Sequence, residues 1–115
     1  MDNRAIGFFD SGLGGLTSIP VLKKTLPNEK VLYFGDTART PYGSKSPETV
    51  RKFSAQIVDY LVSKNVKLIV IACNTVTAMA LDMLRNLHPN VPIVSLVIST
   101  SFLTFSVTVV RSWTS

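Results

Sequence analysis

Short runs of almost wholly apolar residues recur along the chain, separated by longer segments in which apolar residues recur at helical spacing. Unbroken apolar runs are typical of strands that are buried on both faces of a parallel sheet, whereas half-buried strands alternate. The pattern therefore predicts four strands, at Ala5–Phe9, Val31–Phe34, Leu68–Ala72 and Pro92–Leu96.

Three helices are predicted between these strands, at Leu16–Thr25, Pro47–Ser63 and Thr75–Leu87. Ser46 has the side chain of an N-cap and is followed by proline at the first helical position. The order βαβαβαβ implies right-handed crossovers. We therefore expect an α/β fold, a three-layer sandwich with a mainly parallel sheet of about four strands.

The last part of the chain has a different composition. Residues 97–115 are rich in serine, threonine and β-branched residues, contain no glycine or proline, and carry a single charge at Arg111. Such residues favour a strand locally. We divide the chain into an α/β domain at 1–96 and an atypical tail at 97–115, which is either an extra strand or a frameshifted sequence.

Composition narrows the class of protein. The chain has 115 residues, 46% hydrophobic and 17% charged, enough for one small domain with a buried core. One cysteine and one histidine argue against a disulfide scaffold and a metal cluster. The net charge of +5 is scattered, without interleaved aromatics, so we expect no nucleic-acid partner. Without a long apolar run or a signal peptide, we expect a cytoplasmic protein that does not contact membranes.

Small hydrogen-bonding residues follow the first three predicted strands, in the loops Asp10–Thr17, Gly35–Ser44 and Cys73–Thr77. Because ligands of open parallel sheets bind at the carboxyl ends of the strands, we expect these loops to meet at one site. The glycine-rich first loop is either an anion-binding helix start or an ordinary tight turn. Pro41–Ser44 is a candidate lid or clamp, and Arg39 is a candidate partner for a carboxylate. Tyr33 and Phe34 are interpreted as packing residues.

Cys73 is the most distinctive single residue of these loops. It ends a buried strand and precedes a helix, where the positive end of the helix dipole favours an anion. A buried, unreactive cysteine is the equally weighted alternative. His88 lies at the far end of that helix, so we expect it to complement the helix C-terminus rather than to activate Cys73.

Three motifs in this order resemble glutamate racemases, the cofactor-independent enzymes that supply D-glutamate for bacterial peptidoglycan. They are Asp-Ser-Gly-x-Gly-Gly-Leu-Thr from Asp10, Gly-Asp followed by Pro-Tyr-Gly between Gly35 and Gly43, and Ala-Cys-Asn-Thr from Ala72. The resemblance implies that Cys73 is one of two thiols that transfer the Cα proton and that Asp10 assists it. It also implies a substrate site for glutamate, with no metal or cofactor, formed by Asp10, Ser11, Pro41, Tyr42, Gly43, Asn74 and Thr75.

The chain is truncated relative to the two-domain family fold, in which a second thiol comes from a Cys-Thr-His motif of the second domain. This sequence has neither a second cysteine nor that motif, so we expect it to be inactive in full racemisation by itself. Two alternatives remain open. One is a racemase-family enzyme that acts on aspartate or another amino acid, and the other is a non-catalytic module that self-associates through a sheet edge or the tail.

Overall fold

The computed structural model describes residues 2–11, 24, 27–96 and 109–110. Its strands and helices alternate as the apolar pattern predicts, and each predicted boundary in these ranges lies within one residue of the observed one. The elements in chain order are β1 (Ile6–Asp10), β2 (Val31–Gly35), a 3-10 turn (Thr37–Arg39), α1 (Pro47–Ser63), β3 (Leu68–Ile71), α2 (Asn74–Leu87), β4 (Ile93–Leu96) and β5 (Val109–Val110).

The strands form one sheet in the order β2-β1-β3-β4-β5. The pairs β1–β2, β1–β3 and β3–β4 are parallel, which confirms the predicted parallel sheet of four strands. The chain passes from β1 to β2 on one side, whereas β3 lies on the other side of β1. Ligands of such sheets bind where the strand order reverses. In this sheet that position is the crevice between the carboxyl ends of β1 and β3.

The core lies mainly on the face of the sheet that α1 and α2 cover. Side chains alternate between the two faces of a strand, so Phe9 and Ile71 point toward these helices. They belong to one buried cluster with Leu61 and Val76 of the helices, and none of these side chains is exposed. Ile6, Phe8, Val70 and Ala72 form a second buried cluster on the opposite face. The helix predicted at Leu16–Thr25, which would complete the third layer, lies outside the described residues except for Lys24.

Helix α1 begins at a side-chain cap that the sequence predicts, whereas the N-cap of α2 makes no side-chain capping hydrogen bond. The Ser46 hydroxyl accepts a hydrogen bond from the backbone N–H of Thr49 at 3.2 Å, and Pro47 occupies the first position of α1, as predicted. Helix α2 begins one residue earlier than predicted, with Cys73 as its N-cap. At its other end His88 is the C-cap, and the His88 Nε2 lies 2.6 Å from the Asp59 carboxylate of α1.

Two residues of the tail form a strand, and the two predicted interpretations of the tail both stay predictions. β5 pairs antiparallel with β4, with Val110 opposite Ser95 and Val109 opposite Leu96. The other residues of 97–115 lie outside the described part of the chain, and self-association through the tail or the β2 edge stays a prediction. Neither described helix is long and apolar enough to span a membrane.

Candidate active site

The loops that follow β1, β2 and β3 are held together by backbone hydrogen bonds that continue the sheet beyond its last paired residues. The Asp36 N–H donates to the Asp10 carbonyl at 3.0 Å, and the Ala72 N–H donates to the Phe9 carbonyl at 2.8 Å. The Thr40 hydroxyl adds a bond to the Ser11 carbonyl, so the second loop also contacts the first. The structure thus brings Asp10 and Ser11, the described part of the first loop, next to the loops that follow β2 and β3.

Asp10 ends β1 on the face opposite the helices and is 1% exposed. The Tyr33 hydroxyl of β2 donates a hydrogen bond to Asp10 Oδ2 at 3.1 Å. Burial, together with the Asp10 charge and this hydrogen bond, raises the pKa of Tyr33 to about 12. Tyr33 was interpreted as a packing residue, so its polar contact with the candidate catalytic carboxylate is a finding that sequence analysis missed.

Cys73 lies just beyond β3, at the N-terminus of α2, and is 7% exposed. Its backbone is extended, with φ −130° and ψ 117°, and turns directly into the helix. The Thr77 backbone N–H and hydroxyl both donate to the Cys73 carbonyl, at 3.0 and 2.9 Å. Thr77 therefore fixes the first turn of α2, while Asn74 is exposed and Thr75 half-buried beside the thiol.

Tyr42 was predicted to bind substrate, but its side chain belongs to the core. It is 1% exposed and packs against the rings of Phe9 and Phe53, with centroids 6.4 and 6.1 Å away. Its hydroxyl donates to the buried carboxylate of Asp36, and burial and this bond raise the pKa of Tyr42. Any contact of Tyr42 with a ligand would therefore come from its backbone.

Asp36 is the residue that organises this loop; sequence analysis included it in the Gly-Asp motif but assigned it no role. Its carboxylate also accepts a bond from Arg39 Nε at 2.8 Å, so Arg39 pairs with a carboxylate of its own loop. The Arg39 guanidinium lies 3.9 Å from the centre of the Phe53 ring and donates to Gln56 at 2.7 Å. A sequence signal for these contacts was available in the three-residue spacing of Asp36, Arg39 and Tyr42. A tight turn brings residues at this spacing close together.

Exposed Pro41 and Gly43 lie on the open side of the same loop, and the Thr40–Pro41 peptide bond is cis. A Cβ atom added at Gly43 would have the Thr75 hydroxyl as its nearest neighbour, at 3.9 Å. The Pro-Tyr-Gly segment thus lies next to the start of α2. Among the described residues, no group of three or more His, Cys, Asp or Glu side chains could hold a metal ion.

Comparison with individual proteins extends this picture, although no family model matches the sequence. A curated glutamate racemase of Neisseria meningitidis is 51% identical over 94 residues, which are 82% of this chain and 35% of that protein. One of Geobacter metallireducens is 51% identical over 94 residues, 82% of this chain and 34% of that protein. The crystal structure of Francisella tularensis glutamate racemase in complex with D-glutamate matches with a TM-score of 0.78 and 49% identity, over 83% of this chain and 36% of that one.

The chain is homologous to glutamate racemases. Its sheet and helices match the glutamate racemase N-terminal domain, which confirms the resemblance inferred from the three motifs. It spans about a third of the length of the curated glutamate racemases that it matches. The match covers the N-terminal 82% of the chain, so most of residues 97–115 lie outside it.

Proposed function

We propose that this chain binds glutamate at the rim formed by the three loops and exchanges the proton on the amino acid Cα atom through Cys73. The single observation that carries this proposal is that Asp10 ends β1 and Cys73 follows the adjacent parallel strand β3, at the point where the strand order reverses. The homology to glutamate racemases supports glutamate as the ligand, and the Francisella enzyme was crystallised in complex with the D-enantiomer.

The chemistry assigns a distinct role to each group. The Cys73 thiolate takes the Cα proton, so that the C–H bond breaks, an S–H bond forms and the electron pair remains on the substrate. The start of α2, with Asn74 and Thr75, supplies donors that suit a carboxylate, since backbone N–H groups point outward at a helix N-terminus. We assign to Asp10 the assistance of proton transfer at Cys73, and to Ser11, Pro41, Tyr42 and Gly43 contacts with the ligand, in the case of Tyr42 through its backbone.

A single thiol can serve only one face of the Cα atom. Inversion requires a proton removed on one face and another delivered on the opposite face, and this sequence contains one cysteine. We therefore expect the chain by itself to exchange the Cα proton of one enantiomer with solvent and to return the same enantiomer. Full racemisation would need a second proton donor, supplied from outside this sequence.

The test is incubation of the chain with L-glutamate and, separately, D-glutamate in deuterated water, followed by mass spectrometry and chiral analysis. We expect deuterium at Cα in one enantiomer only, and none with Cys73→Ser. A double variant, Cys73→Ser with Ser63→Cys, is the matched control, because it keeps one thiol per chain but moves it to an exposed position at the end of α1.

Three other results would contradict parts of the proposal. No exchange with either enantiomer overturns a catalytic role for the isolated chain. Exchange with aspartate but not glutamate would assign another substrate to the same site. Measurable inversion by the wild-type chain would contradict the restriction of a single thiol to one face.

A further inference from the structure

The contact between Tyr33 and Asp10 depends on the register of two strands and on a glycine. In the β1–β2 pair Phe8 lies opposite Tyr33, and Asp10 lies opposite Gly35. The Tyr33 side chain leans along β2, past Gly35, to reach the carboxylate of the next pair. A Cβ atom at position 35 would lie 2.5 Å from the Tyr33 hydroxyl oxygen and 3.0 Å from two ring carbons, so this path requires glycine.

The same contacts restrict the position of both the Asp10 carboxylate and the Tyr33 phenol. The Tyr33 ring packs against the Phe8 ring, with centroids 5.9 Å apart, and this contact fixes the position of the hydroxyl. A hydrogen bond from this donor to Oδ2 of Asp10 restricts the rotation of the carboxylate, and hence the directions in which Oδ1 can point. Because Asp10 is buried, such a charge-assisted bond is stronger than the same bond in water.

We propose that Tyr33 is a positioning residue of the active site, which holds the Asp10 carboxylate in one orientation without contacting the ligand itself. This inference rests on the proposed function, because the orientation of Asp10 matters to the reaction only if the chain transfers a Cα proton. Gly35 contributes to the same positioning, because its lack of a side chain leaves the space through which the phenol reaches Asp10.

The kinetic test compares Tyr33→Phe with Tyr60→Phe in the full chain. Tyr33→Phe keeps the ring and its packing but removes the donor. We expect Cα exchange at saturating glutamate to fall about tenfold, with the dissociation constant for glutamate changed less than about twofold. Tyr60, on α1 and 43% exposed, should tolerate the same change with no effect on exchange.

Two results of this comparison would overturn the proposal. One is wild-type exchange in Tyr33→Phe. The other is a loss of exchange that is matched by weaker glutamate binding, because that result would assign Tyr33 to ligand binding. Gly35→Ala tests the same contact by steric displacement. It keeps the Tyr33 hydroxyl and the Asp10 carboxylate but displaces the phenol, so it should lower Cα exchange as Tyr33→Phe does.

A second measurement does not depend on catalysis. The measurement is an NMR titration of the chain labelled with 13C-tyrosine. The Tyr33 resonance is the one that is absent in Tyr33→Phe. Its chemical shift reports the ionisation of the phenol and is followed over the pH range in which circular dichroism shows the native fold. The pKa of Tyr33, about 12 in the wild type, should fall by about one pH unit in Asp10→Asn, which lacks the carboxylate charge. Asp10→Ser is the second variant if Asp10→Asn does not fold.

The two ways of failing are distinguishable. A Tyr33 pKa that stays unchanged when Asp10 is replaced overturns the present inference, whatever the activity of the chain. Absence of exchange in the wild type overturns the proposed function. In that case a lowered Tyr33 pKa in the Asp10 variants would still support the contact by which Tyr33 positions the Asp10 carboxylate.

Discussion

The hydroxyl of Tyr42 donates a hydrogen bond to the buried carboxylate of Asp36, and this bond attaches the loop after β2 to the core. Arg39 donates to the same carboxylate while its guanidinium covers the Phe53 ring of α1. The loop is therefore anchored on both sides of Pro41, whose neighbour Thr40 also bonds to the Ser11 carbonyl. These contacts favour a fixed wall of the site over a lid that opens and closes.

Removal of the Tyr42 hydroxyl tests this anchor. In Tyr42→Phe the ring packing remains, but a buried carboxylate loses one donor, so we expect the free energy of unfolding to fall by about 2 kcal/mol. Urea denaturation measures the change. Tyr60→Phe, which alters an exposed phenol, is the matched control and should change stability by less than about 0.5 kcal/mol. Equal effects of the two variants would contradict the anchoring role of the bond.

The buried phenol of Tyr42 and the partly buried phenol of Tyr33 also predict a loss of stability at high pH. Burial first, and then the Asp10 charge and hydrogen bond, raise the pKa of Tyr33 to about 12 from an ordinary value of 10.0. Burial and the bond to Asp36 raise that of Tyr42. Above pH 10 the unfolded chain releases these protons while the folded chain keeps them, so the folded state binds more protons and the free energy of unfolding decreases as the pH rises.

The loss of stability should begin as the pH approaches 10, the ordinary pKa of the phenols in the unfolded chain, and the Tyr33 part should be complete once the pH has risen through about 12. Urea denaturation at a series of pH values from 8 upward measures it. Lysines titrate in the same range, so the decisive comparison is with Tyr33→Phe, whose stability should decline less steeply with pH. Parallel declines of the wild type and the variant would contradict the assigned pKa shift.

The apolar pattern was sufficient to predict the strands, most directly for the inner strands β1 and β3, whose burial on both faces leaves an unbroken apolar run such as Leu68–Ile71. It also predicted which loops share a rim, since parallel strands end on the same side. Tyr33 could not be assigned in this way. Its hydroxyl meets Asp10 only through the register of β1 against β2, and a run of apolar residues in one strand does not specify register against its neighbour.

Tyr42 shows the opposite case, in which a motif predicts a functional position without specifying which atoms face the ligand. The Pro-Tyr-Gly sequence was assigned to substrate binding by resemblance, yet the Tyr42 ring fills the core between Phe9 and Phe53. An aromatic residue in a loop gives no local signal of burial, because its environment is formed by α1 and β1, which are distant in sequence.

The N-cap of α1 gives a prediction about local stability. The Ser46 hydroxyl accepts a bond from the Thr49 N–H, so Ser46→Ala leaves a first-turn donor without this partner and should cost about 1 kcal/mol. Ser44→Ala is the matched control, since Ser44 is an exposed serine of the preceding loop and caps no helix. Thermal unfolding of both variants measures the difference. A cost for Ser44→Ala as large as that for Ser46→Ala would show that capping is not its origin.

Alkylation of Cys73 provides a direct test of ligand binding, because the sequence has one cysteine and every modified molecule is modified there. The thiol is 7% exposed, so iodoacetamide should react more slowly with the folded chain than with the chain in urea. Glutamate bound beside Asn74 and Thr75 would cover the thiol and slow the reaction further. L-Lysine, which has the same backbone groups but a cationic side chain, should give no such protection, whereas equal rates with and without glutamate would place the ligand elsewhere.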